Sequence, residues 1–158
     1  MSCQSICGKG FIMEQNKQIV GYTTGVFDLF HIGHLNILKK AKSECDYLIV
    51  GVTSDELCRA AKKKIPIISL AERMEIVDSI RYVDKVVPQM DYDKMVAWQE
   101  LKFDKMFVGD DWKGSEKWNL LEVEFKKIGV EICYFPYTNT TSSTKIRKIL
   151  DLLESDIE

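Results

Sequence analysis

The stretch Ile19-Val20-Gly21-Tyr22-Thr23-Thr24-Gly25-Val26-Phe27-Asp28-Leu29-Phe30-His31-Ile32-Gly33-His34-Leu35-Asn36-Ile37-Leu38 decides the fold. Its opening is apolar and β-branched, the composition of a buried strand. Its end and the residues that follow set Leu35, Ile37, Leu38 and Ala41 at helical spacing among Asn36, Lys39 and Lys40. The turn between them holds both histidines of the chain, His31 and His34. A helix start leaves backbone N–H groups unpaired and bears the positive end of the helix dipole. Residues three apart at such a start share a face. Two imidazoles and a helix N-terminus aimed at one point make a site for a phosphate group. The plainer alternatives are chance and a fragment of a metal site. A zinc site needs three or four ligands, and no cysteine pair or acidic residue stands at a telling spacing nearby.

Outward from that unit the chain alternates strand and helix. The pattern predicts strands at Ile19–Thr23, Tyr47–Val52, Lys85–Val87, Lys105–Val108 and Val130–Phe135. It predicts helices at Gly33–Ser43, Leu70–Ile80, Asp93–Leu101, Lys117–Lys127 and Ser142–Leu153. Unbroken apolar strands such as Leu48-Ile49-Val50-Gly51-Val52 suit a parallel sheet covered on both faces. Regular alternation then predicts one α/β domain over residues 18–158, a Rossmann-like, doubly wound, five-stranded parallel sheet. Residues 1–17 have no clear period and read as a flexible tail, within which Met13 offers an alternative start. In such folds ligands bind beyond the carboxyl ends of the strands, at the switch point. Three loops with chemical content meet at that edge: the histidine turn, Gly109-Asp110-Asp111-Trp112, and Tyr137 to Thr144.

Composition narrows the classes. The 158 residues are 46% hydrophobic and 29% charged, an ordinary globular balance. A net charge of −2 gives no field to recruit nucleic acid or an acidic membrane. No run approaches the roughly 18 apolar residues of a membrane span, and Met1 to Asn16 lacks the apolar core of a signal peptide. Five cysteines, an odd number at spacings matching no zinc or redox pattern, predict a reduced, cytoplasmic protein.

Other residues could hold phosphate. Thr140-Thr141-Ser142-Ser143-Thr144 precedes an amphipathic helix, and such a run is first of all an N-cap. At this sheet edge it also offers a second helix N-terminus with hydroxyl donors. Lys62-Lys63-Lys64 lies in the long connection after the second strand, either as a solvated loop or as mobile charges able to close over phosphates. Ser69 and Glu72 form a capping-box pattern. Arg73 and Arg81, eight apart, fall roughly on one face of that helix, suited to a phosphate fork or a surface ion pair. Asp110 and Asp111 suit magnesium, ribose or their own turn, and Trp112 and Trp118 suit a ligand or the core. No triad-like serine or cysteine, no Walker loop and no G-x-G-x-x-G are present.

With those residues in view, Gly25-Val26-Phe27-Asp28-Leu29-Phe30-His31-Ile32-Gly33-His34 resembles the nucleotidyltransferase signature G-x-F-D-x-x-H-x-G-H. Arg81-Tyr82-Val83-Asp84, Gly109-Asp110-Asp111-Trp112-Lys113-Gly114 and Ser142-Ser143-Thr144-Lys145-Ile146 resemble the cytidylyltransferase branch, most nearly its glycerol-3-phosphate members. The likeness covers about Ile19 to Leu150, with the motifs in the same order. It implies transfer of CMP from CTP to a small phosphorylated alcohol with release of pyrophosphate. It also implies magnesium brought with CTP and a homodimer, with no nucleic acid or membrane partner. Carried over by position, His31, His34, Lys63, Lys64 and Arg81 would be catalytic. Gly25, Val26, Phe27, Gly33, Asp110, Trp112, Tyr137, Ser142, Ser143 and Thr144 would bind nucleotide. Asp28, Lys63, Arg73 and Tyr92 would bind the acceptor, and no residue is assigned to a resident metal.

The chain departs from that pattern at the loop R-T-E-G-x-S-T, which reads Tyr137-Thr138-Asn139-Thr140-Thr141-Ser142-Ser143. An arginine is replaced by Tyr137 and a glycine by Thr140, and Tyr92 stands at a tryptophan position. The connection before Arg73 is one residue longer. Phosphocholine, phosphoethanolamine, a phosphonate and another polyol phosphate therefore stay open as acceptors. An adenylyltransferase, with FMN or another phosphate as acceptor, and a non-catalytic nucleotide-binding module are the other readings. The acidic tail Asp151 to Glu158 does not resemble a basic, membrane-regulating helix.

Overall fold

A computed structural model describes residues 17–62, 65–136, 138 and 140–155. The assignments made to Lys63, Lys64 and Tyr137, and the tail up to Asn16, lie outside the described residues. Lys17, counted above with the tail, pairs through its amine with Asp104 at 2.5 Å.

Five strands form one parallel sheet: β1 (Val20–Gly25), β2 (Tyr47–Thr53), β3 (Lys85–Gln89), β4 (Lys105–Gly109) and β5 (Glu131–Phe135). Their order is β3-β2-β1-β4-β5. The chain winds outward from β1 through β2 to β3, then crosses back to lay β4 on the other side of β1. That reversal puts a switch point between the carboxyl ends of β1 and β4. The predicted strands all occur, most of them a residue or two longer than the apolar runs.

Helices α1 (Ile32–Ser43), α2 (Asp55–Lys62), α3 (Leu70–Asp78), α4 (Lys94–Leu101), α5 (Glu116–Lys127) and α6 (Ser143–Ser155) connect and flank the strands. The sequence pattern predicts no helix at α2, whose eight residues are too short a run to register a period; it is held by its own acidic first turn and by the Ser54 hydroxyl, which accepts from the Leu57 amide. α3 starts at the expected capping box, Ser69 with Glu72. It stops at Asp78, so Arg81 lies beyond it in a turn and shares no helical face with Arg73.

Each face of the sheet buries its own core. Leu38 and Ala41 of α1 and Val77 of α3 pack with Leu48, Val50, Val52 and Phe107 on one side. Trp118 and Phe125 of α5 pack with Tyr22, Ile49, Phe103 and Met106 on the other. Strand residues alternate between the two clusters, as the period of two requires. Gly21 leaves no room for a side chain: a Cβ there would stand 2.5 Å from the Phe107 ring and 2.6 Å from the Cys45 sulfur.

Candidate active site

β1 ends in a tight turn, and the turn aims the histidines. Phe27 (φ 54°) and Leu29 (φ 49°) adopt the left-handed conformation that non-glycine residues rarely take. Phe27 is nonetheless buried, so packing holds the strained turn in place. His31 then caps α1 in extended backbone, its Nδ1 accepting from the Gly33 amide at 3.0 Å. A Cβ at Gly33 would fall 2.8 Å from the His31 ring, so only glycine lets the imidazole lie over that backbone. His34, in the first turn, stacks on His31 with ring centroids 4.0 Å apart.

The second helix start meets the first through His31. The Ser143 amide, at the beginning of α6, donates to His31 Nε2 at 3.2 Å. A neutral imidazole has one acceptor nitrogen. His31 can therefore satisfy only one of these two amides at a time, and the competition leaves a helix N–H and a ring N–H to serve an anion. Burial lowers the His31 pKa below its ordinary value. Burial, then the adjacent His31, lower that of His34 to about 4, with Asp28 working the other way. Both rings are thus neutral N–H donors near pH 7. The buried Nδ1 of His34 has no hydrogen-bond partner among the described residues.

Asp28 ties three segments together. Its carboxylate accepts from the Ile67 and Ile68 amides, each at 3.0 Å, and from Arg147 at 2.8 Å. Its carbonyl accepts from the Ser143 hydroxyl at 2.7 Å. Burial opposes its charge, but these donors outweigh burial and hold its pKa below the usual carboxylate value. Arg147 was missed in the sequence. It follows Ser143 by four residues, so the helical period already set both on one face of α6.

Two cavities open along this edge. The larger, about 830 Å³, runs between the histidines, Gly109, Asp111, Trp112 and Ser142 to Thr144. The smaller, about 560 Å³, lies against Val26, Phe27, Asp28, Pro66 and Arg147. His34, Ser143 and Thr144 line both. Ser142 caps α6, its hydroxyl accepting from the Lys145 amide at 3.2 Å.

Several expected site residues stand elsewhere. Arg73 is fully buried, and its guanidinium donates to the carbonyls of Ile68, Val26 and Thr53 and to Asp55. It braces the loop that precedes α3 against the ends of β1 and β2 and has no exposed surface for an acceptor. Arg81 is exposed at the opposite edge of the sheet, three residues before Asp84, whose amide pairs with Leu48 at the start of β2. Tyr92 donates to the Leu57 carbonyl of α2 at 3.3 Å and lines neither cavity. Gly25 fits under the Phe27 ring and lines neither cavity. In the short 3-10 turn Asp110–Trp112, Asp111 rather than Asp110 faces the cavity, folding back over Gly109. Trp112 is 49% exposed beside the larger cavity, whereas Trp118 is core.

Fold and site together define a nucleotidyltransferase architecture: a doubly wound parallel sheet with two helix N-termini and a histidine pair at its switch point. Residues 22–149 match the Cytidylyltransferase-like family, and the chain belongs to it. The glycerol-3-phosphate cytidylyltransferase of Bacillus spizizenii is 36% identical over 133 residues, covering 84% of this chain and 95% of that relative. The FAD synthase of Thermococcus kodakarensis is 34% identical over 141 residues, 87% of this chain and 93% of that relative. Among solved structures, a lipopolysaccharide core biosynthesis protein from Thermoplasma volcanium superposes with a TM-score of 0.66 at 30% identity. That superposition covers 78% of this chain and 99% of the other.

Proposed function

We propose that the protein transfers CMP from CTP to a small phosphomonoester, glycerol 3-phosphate in the first instance, and releases pyrophosphate. The observation that supports this most is the pair of cavities joined at His34, Ser143 and Thr144. The larger suits a nucleoside triphosphate and the smaller a phosphorylated alcohol, which sets the reacting phosphates at their common wall. The acceptor phosphate is already an anionic nucleophile, so the protein needs no nucleophile of its own. An acceptor oxygen bonds to the α-phosphorus as the bond to the pyrophosphate oxygen breaks. The two neutral imidazoles and the α6 amides donate to phosphate oxygens whose charge grows in the transition state. Arg147 is a cation in the acceptor wall, and Lys63 or Lys64 would close over the phosphates from the preceding loop.

Magnesium belongs to the same reading. It keeps several waters and takes few protein ligands when substrate phosphates are present, and Asp111 is a carboxylate in the cavity wall that fits such a role. When bound it would neutralise triphosphate charge. A cytoplasmic homodimer is likewise part of the proposal, testable by fractionation and light scattering. Among the described residues no helix is long and apolar enough to cross a membrane.

The test is pyrophosphate release from CTP, ATP, GTP and UTP with magnesium. The acceptors are glycerol 3-phosphate, phosphocholine, phosphoethanolamine, a phosphonate and FMN. Release with CTP and glycerol 3-phosphate is expected, and His34→Ala should lower that rate by about 10²–10³. Turnover confined to ATP with FMN would instead establish the second reading, which the 34% identity to an archaeal FAD synthase favours. Unchanged turnover in His34→Ala would refute the role given to the histidine pair.

A further inference from the structure

Lys94 lies off both cavities, yet its side chain ends on the wall of one. It is the first residue of α4, after the N-cap Asp93. Its amine donates to the Thr24 hydroxyl at 3.1 Å, and Thr24 lines the larger cavity at the end of β1. Lysine is seldom taken from water without a carboxylate partner; here the half-buried amine meets a hydroxyl. Burial and the facing Lys117 of α5 bring its pKa down to about 8, partly offset by Asp91 and Asp93 in the loop before α4.

That hydrogen bond has a direction. An ammonium can only donate, so Thr24 Oγ1 accepts and its own proton points elsewhere. The threonine methyl lies over the backbone of Gly51 in β2, 2.9 Å from where a Cβ there would stand. The neighbouring strand β4 ends at Gly109, with the Asp111 carboxylate folded over it. A hydroxyl donor at the end of β1 and a carboxylate acceptor just past the end of its neighbour β4 thus line the same cavity. The pair is complementary to a vicinal diol, in which one hydroxyl accepts from Thr24 and the other donates to Asp111. With the phosphates at the helix starts, the diol of a nucleotide's ribose is the group of that chemistry left to meet this wall.

We propose that Lys94 is a positioning residue for ribose recognition: by donating to Thr24 it aims the Thr24 hydroxyl proton at a ribose hydroxyl of the nucleotide. This rests on the CTP reading above. Its specificity consequence is selection of ribonucleotides over deoxynucleotides.

The experiment measures the affinity of CTP, 2′-deoxy-CTP and 3′-deoxy-CTP by titration calorimetry, and KM and kcat by pyrophosphate release. The proteins are the full chain and its Lys94→Met, Lys94→Arg, Thr24→Val and Lys94→Met/Thr24→Val variants. Thr24→Val removes the hydroxyl at nearly constant shape, so it tests the contact even if Lys94→Met folds poorly. Lys94→Met and Thr24→Val should each reduce discrimination against at least one deoxynucleotide about tenfold. The loss should appear in KM for CTP, with kcat within about twofold. The double variant should be no worse than Thr24→Val alone, and Lys94→Arg should restore most of the discrimination. Wild-type discrimination retained in Thr24→Val overturns the inference, as do additive losses in the double variant. A wild-type chain that binds no CTP overturns the CTP reading and this inference together, whereas CTP turnover with unaltered discrimination in the variants overturns the inference alone.

Discussion

Replacing Arg73 with methionine separates a brace from a ligand contact. The guanidinium is fully buried and donates at 2.9 Å to Ile68 O, at 2.5 Å to Val26 O, at 2.9 Å to Thr53 O and at 2.5 Å to Asp55. Methionine fills similar space but leaves three carbonyls and a carboxylate without their donor. Each buried orphan costs about 1–3 kcal/mol, and breaking a buried ion pair about 3–5 kcal/mol. The Asp55 side chain is 26% exposed and recovers water, so its share is reduced. A loss of about 4 kcal/mol follows, set against a total stability of about 5–15 kcal/mol. Urea unfolding followed by circular dichroism gives that loss directly, and the melting temperature should drop by about 8–16 °C for a chain of this size. Arg73→Lys should recover less than half, since one ammonium cannot reproduce the fork. An Arg73→Met protein within about 1 kcal/mol of wild type, but with a raised KM for the acceptor, would refute the brace and restore the acceptor role.

Gly33→Ala should push the His31 ring off its cap, because the new methyl meets that ring at 2.8 Å; a rate loss beyond about tenfold with little change in melting temperature is expected, by analogy with a misplaced catalytic donor. Gly21→Ala should do the reverse, costing about 1–3 kcal/mol of stability through overpacking against Phe107 and Cys45, as read by thermal melting. His34 has a folded pKa of about 4 against an ordinary 6.5. Between those values the unfolded chain holds a proton that the folded chain lacks, so stability is fully present above about pH 6.5 and declines as pH falls toward 4. Melting temperature should therefore fall from pH 7 to pH 4.5, His31 adding in the same direction, and His34→Gln should flatten the slope; an unaltered slope would discount the burial of that ring.

The histidine turn, the parallel sheet and the capped last helix were legible because local chemistry specifies them. A β-branched run makes a buried strand, a hydroxyl before an apolar period caps a helix, and two histidines three residues apart at that cap share a face. Ser143 and Arg147 were equally legible as one face of α6, although only the serine was read. α2 escaped because it is only eight residues long, shorter than the window over which a helical period is read, and Tyr92 bonds to that helix. Asp111 in place of Asp110 turned on a single 3-10 turn, whose geometry the letters Gly-Asp-Asp-Trp leave open. Arg73, Arg81 and Lys94 are the sharper lesson. A long cationic side chain has the same composition whether it braces carbonyls, faces water or reaches a neighbouring strand. What separates the three is which acceptors the folded chain brings within its length. Sequence by itself determined the elements and the edge where the site forms, since those follow from interactions within a few residues. Only the tertiary structure decided which cations belong to that edge, because their partners lie on segments far apart in the chain: Arg73 reaches back to Val26 and Thr53, and Lys94 to Thr24.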